Sequence, residues 1–305
     1  MSERPRRLIA VAVDGGDLTV GVWDAAPAGA ADLPAPTIVA VHGVTSSHLA
    51  WELLAEALPG VRIVAPDLRG RGHSNTLVGP AGMRAHAADL AAVFAHLDLG
   101  PTIVVGHSMG GFVSAVFTHL HPELVSQLVL VDGGLPLDVP SGLSPEELVA
   151  TILGPTAERL SMTFADTEAY FDFWRDHPAF AGEWSPALER YLAYDLVPDG
   201  HGALRPATTF ATTIEDTIDQ NSGSLIREAV AGLRRPTTLI TVPRGLRNEP
   251  PGLYAPRHLD VLLAELPEIA HERWDDLNHY TVVLGRTGAT ALAAVIASQL
   301  AAAAS

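Results

Sequence analysis

Cysteine is absent from this sequence, and so is lysine: all 19 basic residues are arginine. Without cysteine there can be no disulfide, no thiolate nucleophile and no cysteine-ligated metal. Without lysine there is no Schiff base, no pyridoxal phosphate anchor and no P-loop lysine. No apolar run reaches the roughly 18–20 residues that a membrane span needs. No apolar signal-peptide core follows the charged start Met-Ser-Glu-Arg-Pro-Arg-Arg, so a soluble, cytoplasmic protein is expected. Positive charge is also scarce: 35 acidic residues leave a net charge of −16. Such a surface repels nucleic acid and anionic membrane, and it disfavours strongly anionic substrates. The 13 histidines include no H-E-x-x-H, and they read mostly as surface or capping residues.

What is present is core material, with 48% hydrophobic residues in 305. That length suits one large α/β domain or one carrying an insertion. No internal repeat is found. Leu8–Val13 and Leu18–Trp23 read as strands joined by the turn Asp14-Gly15-Gly16-Asp17, and residues 25–36 as an Ala/Pro/Gly linker. Strand-like runs at Thr37–Val41, Arg62–Ala65, Thr102–Val105 and Leu128–Val131 then alternate with helical patterns at His48–Leu58, Met83–Leu97 and Gly110–His121. In the second of these helices Ala87, Leu90, Val93, Phe94 and Leu97 keep the 3.6-residue period. The alternation stops at Gly133 and resumes near Thr237. After that come a strand at 237–242, a helix at 258–266, a short strand at 272–274 and a helix at 289–302.

This order implies a doubly wound, mostly parallel sheet covered on both faces. The interruption carries no strand signal, and a structureless loop of that length is implausible. Residues 1–132 and 236–305 are therefore expected to form the core, and 133–235 an inserted helical cap.

Gly106-His107-Ser108-Met109-Gly110 is G-x-S-x-G, placed directly after a strand and directly before a helix. A serine held there by glycines is thrust out at the carboxyl end of a strand, where the helix amino terminus favours negative charge. His42-Gly43-Val44 follows the third strand, and Asp67-Leu68-Arg69-Gly70-Arg71-Gly72-His73-Ser74 the fourth. Asn278-His279-Tyr280 stands between the last strand and the last helix.

Through these motifs nearly the whole chain resembles the α/β-hydrolase family. The resemblance implies Ser108 as nucleophile and the amides of Val44 and Met109 as the oxyanion hole. The Asp67–Ser74 segment matches D-x-R-G-x-G-x-S and is expected to be a structural turn braced by Asp and Arg. The family order of serine, acid, histidine implies a late histidine as base. His279 fits; His258, opening a helix, and His271, before the last strand, do not. The acid has two candidates. Most family members carry it after the strand that follows the cap, where this chain offers only Asn248 and Glu249. Other branches carry it after the strand that ends here in Asp132. Asp132 is the first choice and Glu249 the alternative.

His107 is expected to pack in the elbow, and Glu215, Asp216 and Asp219 to lie on a solvated helix face. Ten of the 18 aromatic residues fall between Phe164 and Phe210. They can form the cap's own core or the wall of an apolar pocket. Trp51, on the first helix, is expected in the core or in the pocket wall; with Trp174 and Trp184 it makes up the expected substrate-binding rings.

The resulting expectation is a serine hydrolase that cleaves a carboxylic ester, lactone or thioester of a medium-sized apolar molecule through an acyl-enzyme. It requires no metal or cofactor. Its partner is a small-molecule substrate, and the chain is a monomer or homodimer. A hydrolase-like binding protein with little turnover, or a C–C hydrolase or acyltransferase with the same triad, is the alternative.

Overall fold

The computed structural model describes residues 4–26, 35–140, 142–154 and 158–303. Most of the expected 25–36 linker therefore lies outside the described residues.

The chain opens with β1 (Arg7–Val13), β2 (Gly16–Trp23) and β3 (Thr37–Val41). A 3₁₀ turn at His48–Trp51 leads into α1 (Glu52–Ala57), followed by β4 (Arg62–Pro66), α2 (Met83–His96), β5 (Thr102–His107), α3 (Met109–Leu120) and β6 (Val125–Val131). The inserted stretch holds α4 (Pro145–Leu153), α5 (Thr167–Arg175), α6 (Pro186–Tyr194), β7 (Leu196–Pro198), β8 (Leu204–Pro206), α7 (Phe210–Ser222) and α8 (Ser224–Ala231). The chain closes with β9 (Thr237–Thr241), α9 (Pro256–Glu265), β10 (Ile269–Arg273), α10 (Thr281–Leu284) and α11 (Arg286–Ala303).

Eight strands make one sheet in the order β1-β2-β4-β3-β5-β6-β9-β10. The β1/β2 and β2/β4 pairs are antiparallel, and every other pair is parallel. Strand side chains alternate between faces, and here both faces are apolar. Ile38, Ala40, Ile103, Val105, Val129 and Val131 pack with Leu54 of α1 and Leu292 and Ile296 of α11. Val39, Val41, Val104, Leu128 and Leu130 pack with Leu90 of α2, Phe112 and Val116 of α3, and Leu259 of α9. A side chain of this size contributes about 1.5–3 kcal/mol when fully buried. Continuous β-branched runs are therefore what this doubly covered sheet demands.

Two expectations for the insertion change. It contains strands after all: β7 and β8 form a small antiparallel hairpin, too short to show a strand pattern in the sequence. In addition, α8 belongs to the core layer. Its Ile226, Ala229 and Val230 join the same apolar cluster as Phe112 and Phe117 of α3, although the sequence places it in the cap. The cap helices themselves begin at polar caps. Ser144 and Glu147 form a reciprocal capping box on α4, and Asp166, Ser185 and Thr209 accept from the first turns of α5, α6 and α7.

Candidate active site

Ser108 stands between β5 and α3 with φ 55° and ψ −126°, a left-handed conformation that costs a non-glycine residue about 1–3 kcal/mol. The glycines around it exist because the backbone approaches too closely for anything larger. A Cβ on Gly110 would lie 2.1 Å from the Val41 carbonyl oxygen, and one on Gly106 would lie 2.3 Å from the Gly110 oxygen. The Ser108 amide donates to the Val131 carbonyl at 3.0 Å, which ties the elbow to β6.

Asp132 immediately follows β6, also at positive φ (43°) and fully buried. Its own amide donates to the Ile240 carbonyl at 2.7 Å. Its Oδ1 accepts a long bond from the Val242 amide at 3.4 Å. Oδ2 faces Nδ1 of His279 at 2.6 Å, and Nε2 of His279 faces Ser108 Oγ at 3.1 Å. With the Nδ1 proton held by the carboxylate, the Nε2 lone pair is left for the serine hydroxyl.

The His279 loop is held by its neighbours. Its amide donates to the Arg244 carbonyl at 2.9 Å. Asn278 donates from Nδ2 to the cap carbonyl of Ala179 at 2.9 Å and accepts from the amides of Tyr280 and Thr281. Asn278 was not singled out in the sequence; its only signal there is its place beside the late histidine. Nε2 of His107 donates to the His279 carbonyl at 2.9 Å. Burial, and then the neighbouring His279, push the His107 pKa well below the ordinary histidine value.

The other candidates lie elsewhere. Glu249 turns back on its own loop, where Oε2 accepts from the Arg247 amide at 2.7 Å; it is exposed and makes no bond to His279. Asn248 Oδ1 accepts from Asn278. His258 Nε2 donates to the Pro136 carbonyl at 2.8 Å. His271 lies within β10, not before it, and pairs with the Thr241 hydroxyl at 2.9 Å.

The loop after β3 closes over the serine. A Cβ on Gly43 would be 3.4 Å from Ser108 Oγ, and Val44 and Met109 line the same cavity as Ser108 and His279. As the first residue of α3, Met109 has an amide with no helical acceptor. The loop is anchored by the turn after β4. The Leu68 amide donates to Nε2 of the buried His42 at 3.0 Å, and His42 Nδ1 donates to the Gly43 carbonyl at 2.8 Å. Burial holds His42 neutral, with its pKa pushed down to about 4. Asp67 accepts from the His48 ring and amide and from the Tyr194 hydroxyl.

Asp216 is not on a solvated face. It is fully buried, 2.5 Å from the Arg71 guanidinium, and its Oδ1 also meets His86 at 2.9 Å and the Gly82 amide at 2.7 Å. Burial alone would raise its pKa, but Arg71 and His86 outweigh this and hold it below the usual carboxylate range. Asp219 accepts from the Met83 amide, and the exposed Glu215 from the Ala81 amide. These α7 carboxylates therefore dock onto the amino terminus of α2, where negative charge is favoured. Histidines, too, are more often interior than expected: His42, His48, His86, His107 and His279 are all buried.

The space above Ser108 is narrow, about 50 Å³. Cap and core share its walls, which are mainly apolar: Leu137, Ile152, Leu246, Leu253, Val283 and Leu284, with Tyr191, Tyr280, Thr217 and Gln220 among the rest. None of the three expected tryptophans is among them. Trp51 is fully buried in the core beneath the site, in the cluster with Trp23 and Leu54. Trp174 packs inside the cap against Tyr170, Phe180 and the Arg159 guanidinium. Trp184 lies against Phe171 and Arg175 and donates to Glu189. The cap needs Trp174 and Trp184 for its own packing, and the aromatic part of the cavity wall is Phe112, Tyr191 and Tyr280 instead. Among the described residues there is no cluster of three His, Asp or Glu arranged to hold a metal, and no helix long and apolar enough to cross a membrane.

A model of the alpha/beta hydrolase fold family matches residues 36–188, half of the chain, and takes in the loop after β3, the elbow and part of the cap. The chain belongs to the α/β-hydrolase fold family. It is 35% identical over 139 residues to lipase LipV of Mycobacterium tuberculosis, covering 46% of this chain and 51% of that one. It is 38% identical over 110 residues to a non-heme haloperoxidase of Rhodococcus erythropolis, covering 35% of this chain and 40% of that one. The chain thus spans about half, or less, of these curated relatives. Among solved structures, the thioesterase domain from the curacin biosynthetic pathway has the same fold, with a TM-score of 0.74 and 21% identity over 96% of this chain and 99% of that one.

Proposed function

We propose that this α/β-hydrolase is a serine hydrolase acting on an uncharged, largely apolar carboxylic ester, lactone or thioester. The observation that carries the reading is the continuous relay from Asp132 through His279 to Ser108, with contacts of 2.6 and 3.1 Å, under an apolar cavity. His279 takes the hydroxyl proton as Ser108 attacks the carbonyl carbon. The amides of Val44 and Met109 receive the developing oxyanion, a contribution of roughly 2.7–4 kcal/mol per donor in comparable sites. Collapse of the tetrahedral intermediate expels the alcohol or thiol, which takes its proton from His279, and leaves an acyl-enzyme. Water deprotonated by His279 then releases the acid. The carboxylate of Asp132 stabilises the imidazolium at both stages. The lipase relative is consistent with this chemistry.

Substrates of ordinary size need roughly 300–1,000 Å³; the space of about 50 Å³ above Ser108 adjoins one of about 200 Å³ that shares Leu137, Ile152, Leu246, Leu253 and His279 with it. The seam along α6 is both polar and apolar: Tyr194 donates to Asp67, Tyr191 to Ser46 and Arg190 to Glu52, while Leu188 and Leu192 join the cluster of Trp51 and Leu54.

The test is hydrolysis of 4-nitrophenyl esters of increasing acyl length by the wild type and by Ser108→Ala. The reading requires turnover that falls at least about 10³-fold in the variant. Equal turnover by the two proteins contradicts it.

A further inference from the structure

We propose that Arg71 is a positioning residue that sets both oxyanion donors, and that Asp216 of the cap holds it in place. The inference rests on the serine-hydrolase reading and deepens it.

Arg71 is fully buried, and its planar head has four contacts. Nε donates to the Val44 carbonyl at 2.7 Å. One terminal nitrogen donates to the Arg69 carbonyl at 2.9 Å and lies 2.5 Å from Asp216. The other meets the Met109 sulfur at 3.8 Å. A single guanidinium therefore touches both residues whose amides face the nascent oxyanion. Gripping Val44 by its carbonyl fixes that residue beside the cavity it lines.

Stability alone is a poor reason for this arrangement, because a buried ion pair can often be replaced by apolar side chains without loss. What an apolar pair cannot supply is a rigid fork that serves a carbonyl, a carboxylate and a sulfur together, and lysine cannot supply it either. The site is also connected to substrate. Thr217 and Gln220, on the same α7 helix as Asp216, line the cavity over Ser108. A substrate seated against α7 thus bears on the helix that carries the carboxylate holding Arg71. The cap in this way both covers the cavity and braces the oxyanion loop.

The experiment compares Arg71→Met, Arg71→Lys and Asp216→Asn with the wild type. The control is Asp195→Asn, which breaks a separate pair made by the buried Arg159 in the cap. The readouts are kcat and KM on a 4-nitrophenyl ester, the inhibition constant of phenylboronic acid, and Tm. Phenylboronic acid forms a tetrahedral adduct on the serine and so reports the oxyanion site rather than ground-state binding.

Arg71→Met is expected to lose about 10- to 100-fold in kcat, with KM within about three-fold. Boronate affinity should fall in parallel, and Arg71→Lys should restore part of the loss. Asp216→Asn should move the same way by a smaller factor, whereas Asp195→Asn should lower Tm and leave kcat and boronate affinity unchanged. The proposal is overturned if the Arg71 and Asp216 variants keep kcat within about three-fold, if the loss lies in KM, or if Asp195→Asn reproduces it. Should Arg71→Met fail to fold, Arg71→Lys and Asp216→Asn decide by the same criteria. A wild type that neither turns over ester nor binds boronate overturns the hydrolase reading itself.

Discussion

Replacing Asp132 by asparagine should cost about 10³–10⁴ in kcat while leaving the protein folded. The geometry says why. Oδ1 of Asp132 accepts from the Val242 amide, and Oδ2 accepts from His279 Nδ1–H at 2.6 Å. In the variant the amide oxygen keeps the Val242 bond, so the NH₂ group faces Nδ1. His279 must then hold its proton on Nε2, toward Ser108, and can no longer accept the hydroxyl proton. The imidazolium also loses its counter-charge. With charge centres roughly 4 Å apart and an effective dielectric constant of about 20, that attraction is worth about 4 kcal/mol, near 10³ in rate. The wrong tautomer accounts for the remainder. Steady-state kinetics on an ester substrate, with circular dichroism to confirm folding, measure the effect. Glu249→Gln is the companion variant: it removes only an exposed turn contact and should keep kcat within about two-fold. A loss under ten-fold in Asp132→Asn, or a larger loss in Glu249→Gln, would refute the assignment of the acid.

Two further outcomes are expected. His42 stays neutral when folded, with its pKa pushed from 6.5 to about 4, so the unfolded chain takes up a proton there first. Its contribution is complete above pH 6.5 and is lost as pH falls toward 4, in all by roughly 3 kcal/mol. Urea unfolding across that window should show a slope shallower by up to about 1.4 kcal/mol per pH unit in His42→Asn than in the wild type; equal slopes would contradict this. Gly110→Ala should lower Tm despite alanine's better helix propensity, because the added Cβ would sit 2.1 Å from the Val41 carbonyl oxygen. An unchanged or raised Tm would be inconsistent with that close approach.

The sheet was legible because its β-branched strands, buried on both faces, contrast with the helices between them. Ser108 was legible because the elbow is local: the glycines, the serine and the strand before it lie within a few residues. The acid was not, because Asp132 and Glu249 differ only in where the chain carries them, and tertiary structure alone brings one to His279. Asp216 was misread for a related reason. An acidic residue on a helix looks solvated until the partner it meets, Arg71, is known, and that partner is 145 positions away. Aromatic character alone does not tell a pocket wall from a packed interior. Size recruits a ring to any packed interior, and the cap's interior claimed two of the three tryptophans. The hairpin of β7 and β8 has strands of three residues each, too short for any periodicity to register.

The central claim is that Ser108 is activated by His279. Intact-protein mass spectrometry after a small fluorophosphonate probe tests it most directly. The account predicts one adduct on the wild type, mapped to Ser108, absent in Ser108→Ala and formed at least about 10³-fold more slowly in His279→Ala. An unlabelled wild type, or an adduct that persists in Ser108→Ala, would contradict it.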